Sequence, residues 1–247
     1  MNLKTIIIIL MTSGISTLLG DNQYTLDIDQ YGTIKSIVDN SGIVLIGSPL
    51  KKRPENSIAK YGYWWCIQGA TKFDSPPGCK EEKQSDERSI TRTGCMGSEE
   101  YRMQYSEKII FNPGGSLEFS CEALFEKTAR WTYPLVITFT LSSKLVGGRG
   151  YLATNFTGTK EKGIIPSEGS GKKEQTLRKI RNLGFSTKRG VVYFYAADNT
   201  EIWLILKDGT ATIQVIPSDY PLWQEQIIQA GDKKGFSFKL LLPGAVK

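Results

Sequence analysis

Residues 112–126 read NPGGSLEFSCEALFE. Asn112-Pro113-Gly114-Gly115 is turn chemistry, because proline presets φ and glycine accepts positive φ without a steric penalty. From there the chain alternates. Leu117, Phe119, Cys121, Ala123 and Phe125 take one side, while Glu118, Ser120, Glu122 and Glu126 take the other. A period of two is the mark of a strand with one buried face and one wet one. Residues 136–141 repeat it, with Ile137, Phe139 and Leu141 opposing Val136, Thr138 and Thr140.

The same period extends outward in both directions. Residues 24–29 alternate, and residues 34–46 read as a hairpin closed by Asp39-Asn40-Ser41-Gly42. Residues 191–195, 202–206, 211–215 and 236–242 add further strands, punctuated by Asp198-Asn199, Lys207-Asp208-Gly209 and Ala230-Gly231-Asp232. Helical signals are poor: residues 174–181 suit at most a short turn of helix and lack a sustained apolar stripe. Strands in this number without helical intervals predict an all-β chain, a large two-sheet antiparallel β-sandwich, in place of βαβ units. No internal repeat or long linker interrupts residues 21–247, which are expected to form a single domain. Residues 70–95 and 158–190, rich in Gly, Lys, Ser and Glu, are expected to be surface loops.

Composition supports a globular chain and excludes much chemistry. Of 247 residues, 40% are hydrophobic and 23% charged, an ordinary balance. There is no histidine. That removes a His general base, a Ser-His-Asp or Cys-His arrangement, and His-ligated zinc. Catalysis would have to come from paired carboxylates or from Tyr and Lys. No phosphate loop, EF-hand spacing or dinucleotide fingerprint is present, so neither a cofactor nor a metal is expected.

Residues 1–20 carry Lys4 followed by an apolar run from Ile6 to Met11 and then small polar residues. The run is too short to span a bilayer, which takes ~20 apolar residues. It reads as a secretory signal cleaved near Gly20, placing the mature chain outside the cell, in a periplasm or on the cell surface, and suiting a bacterial source. The alternative is a buried first strand. Four cysteines, Cys66, Cys79, Cys95 and Cys121, would then be open to disulfide formation in three connectivities. Cys79 and Cys95 lie near turns, whereas Cys66 and Cys121 lie in strand-like sequence; the expected pairs are Cys79 with Cys95 and Cys66 with Cys121.

Three stretches together carry a resemblance: YTLDIDQYGTIKSIVDNSGIVLIG at residues 24–47, the segment from Gly114 through Gly147-Gly148 to Leu152, and GFSFKLLLPGAVK at residues 235–247. Their succession of strands, glycine turns and a closing Leu-Pro-Gly resembles the galactose mutarotase-like β-supersandwich of secreted bacterial carbohydrate-associated proteins. The resemblance implies that fold over residues 21–247 and a carbohydrate context. Mutarotases open the sugar ring with histidines and a glutamate, so this chain inherits none of their catalytic residues.

Two groups of residues are candidates for binding. Flat aromatic rings stack on sugar faces, which singles out Trp64 and Trp65 in the cluster Tyr61-Gly62-Tyr63-Trp64-Trp65, and Tyr220 and Trp223 in proline-rich sequence. Trp131 and Trp203 alternate with apolar neighbours and read as core. The second group is basic. Residues 160–190 hold nine cations against three carboxylates, an excess equal to the chain's whole net charge of +6. Lys172, Lys173, Arg178, Lys179 and Arg181 would attract an anionic polysaccharide; nucleic acid is a poor partner for an exported chain without a recognition motif. Glu118, Glu122 and Glu126 read as a solvated sheet face. Asn155-Phe156-Thr157 fits an N-glycosylation triplet, a pattern that arises often by chance. The expectation is therefore a secreted, non-catalytic carbohydrate-binding sandwich. Its rivals are a glycan hydrolase or polysaccharide lyase using carboxylate or Tyr/Lys chemistry, and a structural or adhesion module.

Overall fold

The computed structural model describes residues 10–11, 14–19, 24–29, 34–42, 44–47, 64–67, 70–71, 82–86, 88–96, 102–131, 136–141, 143–171, 173–207, 209–218 and 226–245. The chain opens with β1 (Leu10–Met11), β2 (Gly14–Leu19), β3 (Tyr24–Asp29), β4 (Ile34–Asp39), β5 (Val44–Gly47), β6 (Trp64–Ile67) and β7 (Ala70–Thr71). Next come β8 (Glu82–Ser85), β9 (Ser89–Met96), β10 (Met103–Asn112), β11 (Ser116–Phe125), β12 (Ala129–Trp131) and β13 (Val136–Leu141). One helical turn, α1 (Ser143–Val146), leads to β14 (Gly150–Asn155), β15 (Lys160–Ile164), β16 (Gln175–Thr187) and β17 (Gly190–Ala196). The last strands are β18 (Thr200–Lys207), β19 (Thr210–Pro217), β20 (Gln226–Ile228) and β21 (Lys233–Leu241).

All but β12 and β20 join one hydrogen-bonded sheet that folds back on itself as two layers. The first layer runs β2-β3-β4-β5, then β13, β19, β18 and the first half of β16, with β6 also beside β13. The second runs β8-β9-β10-β11-β21-β17, then the second half of β16, β14 and β15. Strand β16 is the crossing point. Its residues 175–180 pair with β18 and its residues 182–187 with β17.

Phenylalanines fill the space between the layers. Phe139 of β13 meets Phe119 edge-on at 5.9 Å, Phe238 at 5.6 Å and Phe194 at 5.4 Å, and Phe119 stacks on Phe238 at 4.4 Å. Alternation is as the sequence demands: in β10 every second residue is buried, from Met103 to Phe111. The three stretches that carry the family resemblance also meet in space. Leu242 N–H donates to Gly115 O at 3.0 Å, the Tyr24 ring lies against Gly115, and the Tyr24 hydroxyl donates to Pro243 O. Beside them the buried Asp39 carboxylate accepts from Ser41 Oγ at 2.7 Å and pairs with Arg189 Nε at 2.6 Å. Burial, and then the Asp39 charge, push the Tyr24 phenol up, while Arg189 pulls it down.

Several expectations are corrected. Residues 70–95 and 158–190 are not simply loops, because they contain β7, β8, most of β9, β15 and β16. Residues 175–181 are strand, so the short helical turn expected over 174–181 is absent. Cys121 is a thiol in the core. It lies on the inner side of β11, in register with Glu107 of β10 and Phe236 of β21, so its expected pairing with Cys66 is overturned. Cys95 is buried with Arg102 Nη2 3.8 Å from its sulfur, and its expected partner Cys79 lies outside the described residues. Within the expected leader, Gly14–Leu19 forms β2, antiparallel to β3.

Glu107 and Arg92, opposite each other on β10 and β9, are both fully buried. Burial holds the Glu107 carboxyl well above its ordinary value of 4.5. The folded chain thus keeps a proton that the unfolded chain releases, so stability declines as pH rises from 4.5 toward the raised folded value. Glu107→Gln removes that titration. Its unfolding midpoint is expected to fall less than the wild type's between pH 4.5 and neutrality; parallel pH profiles would contradict the assignment.

Candidate functional site

Strand β13 has two faces. Ile137, Phe139 and Leu141 enter the core, which leaves Val136 and Thr138 on the far side of the first layer. Register carries that far side across the sheet, since Thr138 stands opposite Gln214 of β19, and Gln214 opposite Trp203 of β18. Val136, Trp203 and Ile216 make a small apolar cluster there, separate from the main core.

At β16 the row ends in a bulge. Leu177 pairs with Leu204 and Ile180 with Ile202, so Arg178 and Lys179 together stand against the single residue Trp203. Lys179 sits at φ 55°, a left-handed conformation that costs an L-residue of this kind roughly 1–2 kcal/mol. The bulge sets the Arg178 guanidinium 4.3 Å above the Trp203 ring. Such a contact stabilises by ~0.5–2 kcal/mol. On its edge the indole Nε1–H donates to Glu201 Oε1 at 2.6 Å. Two strands away, Thr138 is 3% exposed and its hydroxyl has no hydrogen-bond partner among the described residues. Leaving a buried hydroxyl unmatched costs ~1–3 kcal/mol.

One face therefore offers a buried aromatic ring, a cation, a carboxylate, an amide and an unmatched hydroxyl. The indole is 6% exposed and capped by Arg178, so a ligand reaches this set through the exposed Arg178 guanidinium and the half-buried Glu201, not by stacking on the ring. Paired carboxylate catalysis needs two carboxyl groups facing each other across a cleft. Among the described residues of this row, Glu201 is the one carboxylate, and its oxygen is engaged by the indole.

No family model matches the chain, and no curated protein matches it in sequence. Solved structures do match in three dimensions. A galactose mutarotase-like protein from Lactobacillus casei superposes with a TM-score of 0.57 at 10% identity, covering 92% of this chain and 99% of that one. A putative aldose 1-epimerase from Escherichia coli K12 gives 0.53 at 12% identity, covering 93% and 98%. The GH36 α-galactosidase AgaA of Geobacillus stearothermophilus, in complex with stachyose, gives 0.52 at 8% identity, covering 94% of this chain and 41% of the enzyme. The chain has the galactose mutarotase-like fold.

Within this mutarotase-like sandwich the candidate residues are redistributed. Trp64 stands opposite Thr138, in the same row as Gln214 and Trp203, and Trp65 stands opposite Ile137. Tyr220, Trp223 and Lys172 lie outside the described residues. Lys173 is exposed just before β16. Arg181 is engaged, with Nη2 3.0 Å from Asp198 and its guanidinium 5.9 Å from the Phe156 ring. Strands β6 and β16, far apart in sequence, thus bring an aromatic segment and a basic one to the same sheet.

The mutarotase-like scaffold also explains the acidic and asparagine motifs without chemistry. Glu118 pairs with Lys239 at 3.1 Å, Glu122 with Lys233 at 3.3 Å, and Glu126 with Arg102 at 2.6 Å, the first two across exposed neighbouring strands. Asn155 Oδ1 accepts from Thr157 N at 3.0 Å and Thr159 N at 2.9 Å, which closes the β14–β15 turn. Sequence reasoning missed Thr138, Glu201 and Gln214; its reading of Trp203 as core holds, since the side chain is 6% exposed, although it belongs to the small second cluster and not to the main core. The available signal was phase: Ile202, Leu204 and Leu206 alternate inward, whereas Trp203 falls in step with Glu201.

Thr138→Val tests the face directly. Because the hydroxyl has no partner to lose, the substitution is expected to leave stability unchanged or raise it by about 1 kcal/mol. A loss of more than about 1 kcal/mol in denaturant unfolding would mean that the hydroxyl is matched in the folded chain.

Proposed function

We propose that this chain is an exported, non-catalytic carbohydrate-binding sandwich whose site is the far face of the first layer, around Trp203. The observation that carries this reading is the Arg178–Trp203–Glu201 arrangement, with the unmatched Thr138 hydroxyl two strands away on the same face. The fold supports a carbohydrate context, and the absence of histidine from the sequence argues against ring-opening by the mutarotase route. Positive charge supports an anionic glycan, uronic or sulfated. Lys173, Arg178 and Lys179 are exposed and form no ion pair with the described residues. Their field would concentrate an anion at the face.

A glycan array run beside a reducing-sugar release assay tests the function. The expected result is retention of acidic glycans without sugar release. Retention should weaken as salt shortens the Debye length from about 10 Å at 0.1 M to about 3 Å at 1 M. An Arg178→Glu, Lys179→Glu variant should lose it. Release of reducing ends would establish a hydrolase or lyase instead, and an array without any bound glycan would favour an adhesion or structural module.

Export is the second part of the reading. Strands β1 and β2 lie outside β3 at the end of the layer, so removing residues 1–20 leaves the β3–β4 hairpin intact. Disulfide closure between Cys79 and Cys95 suits that compartment. The mature chain is expected to begin near Asp21, with two of its four cysteines titrating as thiols in denaturant without reductant. A mass retaining Met1, or four titratable thiols, would contradict it.

A further inference from the structure

The second layer has its own outward face, remote from Trp203, and it too carries aromatic rings. Tyr193 and Tyr195 project from β17 with ring centroids 5.9 Å apart and planes 29° from parallel. The first ring lies flat on the neighbouring strand. Gly184 stands opposite Tyr193, and a Cβ there would come within 2.9 Å of the ring. Any residue but glycine would lift Tyr193 off the sheet and tilt the pair.

Next to Tyr195 the face opens into a groove of about 350 Å3, lined by Ile110, Glu118, Ser120, Tyr195, Ser237 and Lys239. Register explains the grouping. Tyr195 stands opposite Lys239, Lys239 opposite Glu118, and Glu118 opposite Ile110. Glu118 also accepts from Asn112 Nδ2 at 3.1 Å, and its oxygen lies 3.1 Å from Lys239 Nζ. Both charged side chains are nearly half exposed. One wall is thus an aromatic face, and the rim supplies a carboxylate acceptor, an ammonium donor and two serine hydroxyls.

We infer that this groove is a second carbohydrate site, selective for neutral pyranosides. Stacking on Tyr195 supplies the apolar contact. A sugar hydroxyl can donate to Glu118 and accept from Lys239, a combination that vicinal hydroxyls satisfy. The two rim charges already neutralise each other, so the groove attracts neither anions nor cations. In this it differs from the Arg178 face. The inference shares only its ligand class with the proposed function and stands on different residues, so the two can fail separately.

Affinity electrophoresis of the full chain through gels containing galactomannan, β-glucan, xyloglucan or polygalacturonate tests it. At least one neutral polysaccharide is expected to retard the wild type, equally at about 0.1 M and about 1 M salt. Tyr195→Ala should abolish that retardation, while an Arg178→Glu, Lys179→Glu variant should keep it. Should Tyr195→Ala fail to give a cooperative melt, a Glu118→Gln, Lys239→Gln variant decides, because it removes the rim charges and leaves the ring. No retardation of the wild type by any neutral polysaccharide, or unchanged retardation in the folded variants, would overturn the inference. Retardation by polygalacturonate alone would leave the Arg178 face as the only binding surface.

Discussion

Phe139 is the contact on which the architecture turns. It is the residue of β13 that reaches across the sandwich, and three phenylalanines of the second layer, Phe119, Phe194 and Phe238, surround its ring. Edge-to-face pairs of this kind each add about 0.5–1.5 kcal/mol beyond their burial, and truncating such a ring to alanine typically costs ~3–5 kcal/mol. Its larger consequence is directional. A strand slipped by one residue exchanges its faces. With Phe139 held inward, Val136 and Thr138 are committed to the far side, where β19 and β18 continue the row to Gln214 and Trp203. The candidate face has this composition because the core cannot accept any other register.

Much of this was legible along the chain, and the places where legibility failed have identifiable causes. Strand β11 declares itself through alternation after the turn at Asn112-Pro113-Gly114-Gly115, whereas β10, which alternates as regularly, went unread. Strand β16 hides. Its buried residues Leu177, Ile180 and Leu183 are spaced by three because two register shifts, one against β18 and one against β14, each insert an extra residue, and that spacing imitates a helix. Strand β8 is Glu-Lys-Gln-Ser at a sheet edge, with no apolar residue to mark it. In β9 the fully buried Arg92 takes a position where the pattern asks for an apolar side chain. The basic cluster was recognised as a cluster but not as part of a site, because the partner that gives Arg178 its place, Trp203, lies on a strand formed 25 residues later.

The three-dimensional likeness to mutarotase-like proteins coexists with identities of 10% and 12%, so the fold persists here through patterning and turn chemistry, not through shared residues. Function on such a scaffold lives in what the faces display. One face displays the Arg178 guanidinium over an indole, the other a neutralised Glu118–Lys239 pair beside a phenol. These differences in charge balance would divide acidic from neutral glycans between two sides of one sandwich.

The central claim, that the Trp203 face takes carbohydrate, is tested most directly by indole fluorescence. A glycan retained on the array is titrated into the wild type and into a Trp203→Phe variant that retains its thermal transition. The account predicts a saturable change in emission for the wild type and none of that component in the variant. An identical change in both proteins would place the bound sugar elsewhere and contradict the account.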